Sequence, residues 1–262
     1  MPDQGPPRVL LSFDAEEFDL PAERGLRISQ SEQFDVGARG LEVVHRLLAD
    51  SGATATFFTT VSLASNAPDL VRKVATAHEI ASHGLVHKAV PPTDYLRSRE
   101  ALEAIVHKPV VGFRMPRMAA VDEPALAAAG FRYHSSTHPT WLPGRYNNLR
   151  MPRGYSTSGP LVSIPASVTP LIRFPLFWLS FKNFPQPIYR HAVGRVLRTD
   201  RYAVFYFHPW EFVDLSKYKL PAHVTRHSGQ PLVDRLHRFI DWLKPQASLS
   251  TFEQFVGTLP TS

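Results

Sequence analysis

The 262-residue chain contains no cysteine. That absence removes disulfides, thiolate nucleophiles and sulfur-ligated metal sites, and it agrees with a cytoplasmic protein. Also missing is any apolar run near the roughly 18 residues needed to cross a bilayer. The nearest candidate, "FPLFWLSF" at 174–181, holds a proline and lies between Arg173 and Lys182. It reads as core or as an exposed patch through which copies of the chain can associate. The opening "MPDQGPPRVLLSFD" has no charged–apolar–cleavage order, so no signal peptide and a cytoplasmic location are expected. No repeat, heptad or low-complexity tract stands out. No glycine-rich loop follows the first apolar run, which argues against dinucleotide binding.

What remains is an ordinary globular composition, ample for a sizeable core. Formal charge is +6. The basic residues read as scattered and no nucleic-acid module is present, so the charge points only to an anionic substrate or surface.

Short apolar runs alternate with helical spacing along the chain. "RVLLSF" (8–13), "ATATFFTT" (53–60), "EIAS" (79–82) and "PVVGF" (109–113) read as strands. "FRYHSS" (131–136), "PLVSIPA" (160–166), "YAVFYF" (202–207) and "SLSTF" (248–252) continue the series. Helices are expected around Leu41–Leu48, over 66–77 with Asn66 as cap, over 93–107, and from the Asp122 cap to Gly130. Two more are expected over about 187–199 and 231–243. Residues 137–185 are proline-rich and irregular apart from "PLVSIPA". This alternation implies a parallel sheet, and seven or eight such units in one domain over 1–262 imply an α/β fold of (β/α) barrel type. An open doubly wound sheet is the alternative.

Three H-x-x-x-H pairs occur: His83/His87, His134/His138 and His223/His227. Functional groups of parallel β/α folds gather at the carboxyl ends of strands. Only His83 and His87, directly after "EIAS" with Gly84 to turn the chain, have that setting. His134 begins inside a strand, and His223/His227 lies in a loop. The first strand runs into "SFDAEEFD". Residues two apart share a strand face, so Asp14 and Glu16 project together while Glu17 points away. Carboxylates there are costly to bury unless paired or bound to a cation. One carboxylate with two imidazoles suits a divalent metal and leaves positions open. Solvated acids at a strand end are the plain alternative. Two further strand ends carry Arg114 ("VGFRMPRM") and His208 ("FYFHPWEF"); each alone reads equally as a packed or surface residue.

In that order, the acids of the first strand, H-x-x-x-H, R-x-P and the late strand-end histidine resemble the polysaccharide deacetylases of carbohydrate esterase family 4, over about residues 8–255. The resemblance implies a distorted barrel of about seven strands. It also implies a metal-dependent hydrolase that removes an acyl group, such as acetyl, from an N-acylated sugar or glycan. By that correspondence Asp14 would be the general base, held by Arg114. Glu16, His83 and His87 would bind a divalent metal, with zinc first and cobalt, nickel or iron as alternatives. The backbone N–H of Arg117 would serve an oxyanion hole, and His208 would be the general acid. A loop from 137–185 would cover the site, with Arg145, Arg150 and Arg153 suited to a phosphate or carboxylate. Trp141, Tyr146, Trp178 and Trp210 would either stack on a sugar or pack in the core.

Two departures from the family pattern stand out. Ala15 replaces the second of two adjacent aspartates, which places the chain in a D-x-[D/E] branch resembling intracellular members, cyclic-amide hydrolases and sugar deformylases. His134 stands where the family often has an aspartate that tunes the catalytic histidine. His208 should then be less basic and less firmly oriented, unless Glu211 or another group substitutes. A cyclic-amide hydrolase working without metal, and a degenerate barrel that binds glycans or protein, are the rival readings.

Overall fold

The computed structural model describes residues 5–260. Eleven strands occur in chain order. The first five are β1 (Arg8–Ala15), β2 (Thr56–Thr59), β3 (Glu79–Ser82), β4 (Gly112–Phe113) and β5 (Tyr133–His134). A hairpin of β6 (Trp141–Leu142) and β7 (Tyr146–Asn147) follows, then β8 (Ser156–Ser158) and β9 (Leu161–Ser163). β10 (Tyr202–Phe207) and β11 (Ser248–Ser250) complete the set. The main sheet runs β10-β1-β2-β3-β4-β5-β9-β8. With β11 beside β1 the sheet has nine strands; eight are parallel, and only the edge strand β8 is antiparallel. β1 takes β11 beside Arg8–Leu10 and β2 beside Ser12–Ala15. The result is the distorted (β/α) barrel implied by the sequence, and the open doubly wound alternative is set aside.

β1 shows how sequence positions the site. Val9, Leu11, Phe13 and Ala15 pack with the surrounding helices. Leu10 faces the other way, into a smaller core with Phe58, Ala81, Tyr133 and Val204. The strand period of two therefore sends Ser12 and Asp14 toward the barrel interior. Helix Gln30–Asp50, capped by the Ser29 hydroxyl accepting from the Glu32 N–H, lies across this end. It carries Gly37 and Gly40 at the contact. A Cβ at Gly37 would meet the Glu16 carbonyl oxygen at 2.5 Å, and one at Gly40 would meet the Pro209 carbonyl oxygen at 2.2 Å. Both chain segments that carry site residues therefore sit against a helix face stripped of side chains.

The expected helices form, with shifted ends. Asn66 is not a cap. It ends helix Val61–Asn66, and the next helix starts at Pro68 after Ala67. Asp122 does cap its helix, accepting from the Ala125 N–H at 3.0 Å. Residues 137–185 are more ordered than expected, with the hairpin, β8, β9 and helix Trp178–Asn183. "FPLFWLSF" is mostly interior: Leu176, Phe177 and Phe181 are buried, so this stretch does not form the exposed patch that self-association requires. Among the described residues, no helix is long and apolar enough to cross a membrane.

Replacing Gly40 with alanine should cost about 1–3 kcal/mol by overpacking the Pro209 turn. Urea unfolding of Gly40→Ala beside the parent checks this; an unchanged midpoint would show that the helix can move away freely.

Candidate active site

Arg114 follows β4 and is fully buried. Its backbone N–H donates to the Ser82 carbonyl at 2.8 Å, continuing the ladder past the end of β3. Its guanidinium lies 3.9 Å over the Phe58 ring. The Nε and Nη2 groups donate to the carbonyl and hydroxyl of Ser135, both at 2.9 Å. Nη1 donates to Ser12 Oγ at 3.0 Å and to Asp14 Oδ1 at 2.6 Å. Asp14 is thus fixed by a charge-assisted bond at the barrel's inner rim.

One step further along the chain, β1 has ended and Glu16 reaches the H-x-x-x-H segment. Its Oε2 lies 3.2 Å from His83 Nε2 and 3.2 Å from His87 Nε2. The far nitrogens of both rings are committed. His83 Nδ1 lies 2.8 Å from the Arg114 carbonyl, which can only accept. His87 Nδ1 lies 2.9 Å from Asp19 Oδ1. Both Nδ1 atoms therefore carry the hydrogen, and each neutral ring turns a lone pair from Nε2 onto a carboxylate oxygen. Three buried acceptors facing one another require a positive charge between them. Glu16 Oε2 and His83 Nε2 accordingly have no hydrogen-bond partner among the described residues. Without a cation, a proton takes its place: burial lowers the His87 pKa, but the charge of Glu16 and the Asp19 bond outweigh it and lift it to about 9. Burial likewise raises the Glu16 pKa, while His87 and His83 outweigh this and hold it at about 2. The donor set fits a divalent metal.

Around it, Glu16 Oε1 accepts from Trp210 Nε1 at 3.1 Å. Glu17 does turn away from the cluster, but into the protein rather than solvent. It accepts from Thr60, Ser62 and the His87 backbone N–H at 2.7–3.0 Å. Glu23 pairs with Arg117 and lies 3.9 Å from His87 Nδ1.

His208, at the end of β10, completes the arrangement. Glu211 accepts from its backbone N–H at 2.8 Å and lies 3.0 Å from its Nδ1. The Lys182 ammonium, also buried, lies 3.3 Å from the other Glu211 oxygen and donates to the Val224 carbonyl at 2.6 Å. Trp210 stacks on the His208 ring at 4.8 Å, and Trp178 meets it edge-on at 5.2 Å. Burial opposes a charge on His208, yet Glu211, helped by the charges of Glu16 and Asp14, raises its pKa above the ordinary value. The exception foreseen from the sequence applies: Glu211 gives His208 a carboxylate partner where position 134 has none. His134 itself faces Glu123 at 3.3 Å.

A cavity of about 250 Å³ joins these groups; Asp14, Glu16, His87, His208, Tyr146 and Trp178 line it, along with Arg145 and Arg117. A more open hollow of about 620 Å³ continues from it past Arg145, Tyr146 and Met151. Arg145 and Tyr146 are thus brought to the site. Arg153 is not: it pairs with Asp200 and donates to the Val168 carbonyl, outside both hollows. Arg150 lines neither. Trp210 is nearly inaccessible and braces Glu16 and His208 rather than offering a free stacking face. Trp141 is 59% exposed on the hairpin. His223, set aside in the sequence, reaches the cavity wall. Asp19 and Lys182 carried no recognisable signal; Tyr206, which also lines the cavity, was hidden within an apolar strand.

With this geometry in view, the comparisons place the chain. Residues 29–136 match the family described as polysaccharide deacetylase. Over that segment, less than half of its length, the chain is similar to the polysaccharide deacetylase family. It is a polysaccharide deacetylase-like hydrolase, a class that cleaves the carbon–nitrogen bond of N-acetyl groups. Residues 135–253 match a domain of unknown function, DUF3473. The two matches are not two bodies, since β5 of the first pairs with β9 of the second in one sheet. A Mycobacterium smegmatis structure described as a polysaccharide deacetylase is similar at 20% identity and TM-score 0.67, covering 100% of this chain and 96% of that one. An allantoinase is similar at 14% identity and TM-score 0.64, covering 97% and 92%. A Pseudomonas aeruginosa structure described as a polysaccharide deacetylase shows 15% identity and TM-score 0.60, covering 95% and 89%. At these identities the likeness speaks for the fold. No curated protein matches the sequence.

The second histidine pair makes a pH prediction. His138 is buried beside Phe177 and Tyr206, with Nδ1 3.0 Å from the Tyr146 hydroxyl. Burial, then the charge of Arg114, pushes its pKa from 6.5 down to about 3. The folded protein keeps it neutral while the unfolded chain takes up a proton below pH 6.5. Its contribution is therefore complete above pH 6.5 and is lost as pH falls toward 3. Between pH 6.5 and 4, His138→Gln should flatten the fall in unfolding free energy by up to about 3 kcal/mol. Denaturant titrations at several pH values test this, and parallel curves for the two proteins would exclude the assignment.

Proposed function

We propose that the chain is a metal-dependent deacetylase that hydrolyses the N-acyl group, acetyl by preference, of a sugar or glycan. The observation that carries this reading is the set of three mutually facing acceptors, Glu16 Oε2, His83 Nε2 and His87 Nε2, beside one Arg-bound aspartate and one Glu-bound histidine. Those three residues would hold the metal, and the nitrogen-rich set favours zinc, with cobalt, nickel or iron as alternatives. When bound there, a divalent ion supplies Lewis acidity, polarising an acyl carbonyl and acidifying water.

The chain's own residues do the rest. Asp14, oriented by Arg114, takes the proton of the attacking water as the new carbon–oxygen bond forms. The backbone N–H of Arg117, in a turn where Arg117 and Met118 have φ of 60° and 54°, is the candidate donor to the developing oxyanion. His208, whose pKa the Glu211 carboxylate raises, gives its proton to the nitrogen as the carbon–nitrogen bond breaks. The products are a carboxylate and a free amine. Glu211 orients His208 through Nδ1, leaving Nε2 for the substrate. The cavity admits about one sugar ring, and the adjoining hollow accommodates its neighbours on a glycan. The D-x-[D/E] pattern remains consistent with a small or cytoplasmic substrate, and Arg145 with one that bears an anionic group.

Protein purified without chelator should hold near one zinc, cobalt, nickel or iron per chain by mass spectrometry and release acetate from an N-acetyl sugar. Asp14→Asn should slow that release by at least about 100-fold while keeping the metal. No metal even after reconstitution, or undiminished release by Asp14→Asn, would sink the reading. Turnover of a cyclic amide by metal-stripped protein would replace it with a non-sugar carbon–nitrogen hydrolase. A second prediction concerns the acid. A general acid must be protonated, so activity falls above its pKa. Glu211→Gln removes the charge that raises it, and the alkaline limb of the pH–rate profile should move to lower pH. A limb that stays in place would take the acid role from His208.

A further inference from the structure

The basic charge is not scattered. From Pro124 to Thr199 the chain has nine lysines and arginines and not one aspartate or glutamate. Against +6 for the whole chain, that leaves −3 on the remainder. Among the described residues, Arg145, Arg150, Arg173, Arg190, Arg195 and Arg198 pair with no carboxylate. The exposed apolar side chains follow the same division. Of the ten large ones exposed among the described residues, eight lie from Trp141 to Ile188.

Two are extreme. Leu171 is 85% and Ile172 80% exposed, side by side at the tip of loop 169–174. The loop is firmly built. The Thr169 N–H donates to the Phe174 carbonyl at 2.9 Å, and the Phe174 N–H to Thr169 Oγ1 at 3.0 Å. Arg173 donates to the Met151 carbonyl at 2.7 Å, and its own carbonyl accepts from Thr140 Oγ1 at 2.8 Å. That brings exposed Met151 and Leu149, with Arg150 between them, alongside; the ring of Phe174 carries exposed Phe184 at 4.7 Å. Leu171 and Arg173 have φ of 67° and 55°, a region that costs free energy for any side chain and most for bulky ones. Backbone strain and two fully presented aliphatic chains are both unfavourable in water, and something must cover them.

We propose that this knob, Leu171 and Ile172 beside Arg150 and Arg173 on a segment without a single acid, docks the protein on an anionic lipid bilayer surface. Aliphatic side chains enter the headgroup–acyl boundary while arginines meet the phosphates. A second copy of the chain fits less well. The tip is narrow beside the roughly 800 Å² per partner of a stable interface, and a two-fold contact would set arginines against arginines. Docking would also place the hollow that Met151 lines next to the surface.

The test is co-sedimentation of the full chain with vesicles of phosphatidylcholine alone and of phosphatidylcholine mixed equally with phosphatidylglycerol. The parent should pellet with the mixed vesicles, weakly with the neutral ones, and less as salt is raised. Leu171→Asn with Ile172→Ser, where asparagine suits the positive φ, should lose at least about tenfold in binding. Thermal melting and sugar deacetylation in solution should be unchanged, which keeps this result separate from the catalytic reading. Absence of vesicle binding by the parent, or equal binding by the double variant, would overturn the proposal. So would a concentration-dependent dimer that the double variant abolishes, which would make the knob a contact between copies.

Discussion

Everything in the site depends on burying one guanidinium. Arg114 sits inside the barrel with no solvent contact, and an unpaired charge there would be too costly to keep. It is affordable because the strands deliver an oxygen to each of Nε, Nη1 and Nη2: Ser12 and Asp14 from β1, and Ser135 from just past β5. Its backbone extends the reach, with the N–H on Ser82 at the end of β3 and the carbonyl on His83 Nδ1. The same residue therefore fixes the candidate base and selects the tautomer of a candidate ligand. Removing it would leave Asp14 buried without its partner and His83 with altered support. Geometry at three strand ends is coupled through this single side chain.

A second logic separates the two proton-transfer groups. Asp14 leans on a cation, Arg114; His208 leans on an anion, Glu211, itself set against Lys182. Asp14 is held by a hydrogen-bond donor and His208 by an acceptor, the arrangement that a candidate base and a candidate acid in one turnover need. The aromatic wall of Trp178 and Trp210 excludes water around His208, so the Glu211 contact acts at short range in a poorly screened setting.

The sequence made the strands legible because each is a compact run of β-branched and aromatic residues, and every expected strand forms at least in part. The strand-end rule picked the histidine pair that the fold brings to Glu16, because strand polarity fixes which loops share a rim. It failed where local periodicity stops. Glu17 follows the end of β1, so alternation no longer says what it meets, and it turns inward to Thr60 and Ser62. Asn66 looked like a cap by type, but the Thr60 hydroxyl had already begun a helix that Asn66 ends. Lys182 and Glu211 are 29 positions apart, and nothing in either local pattern announces a pair. Arg145 and Arg153 looked equivalent; Asp200, far along the chain, holds only the second.

The two halves of the chain divide the work of one sheet. The N-terminal half supplies the candidate ligand set, the candidate base Asp14 and its arginine. The half beginning near residue 135 supplies His208 together with its Glu211–Lys182 support. It also supplies the hairpin wall, the arginine at the cavity, and nearly all exposed apolar surface. A neighbouring fold with the same first half can therefore share the chemistry without sharing this acid's support or this surface. Most of the candidate site comes from where the chain is acidic, and its outer wall from 124–199, where no acid occurs. An anionic substrate or surface would thus be drawn to the second half first and brought to the mouth of the first.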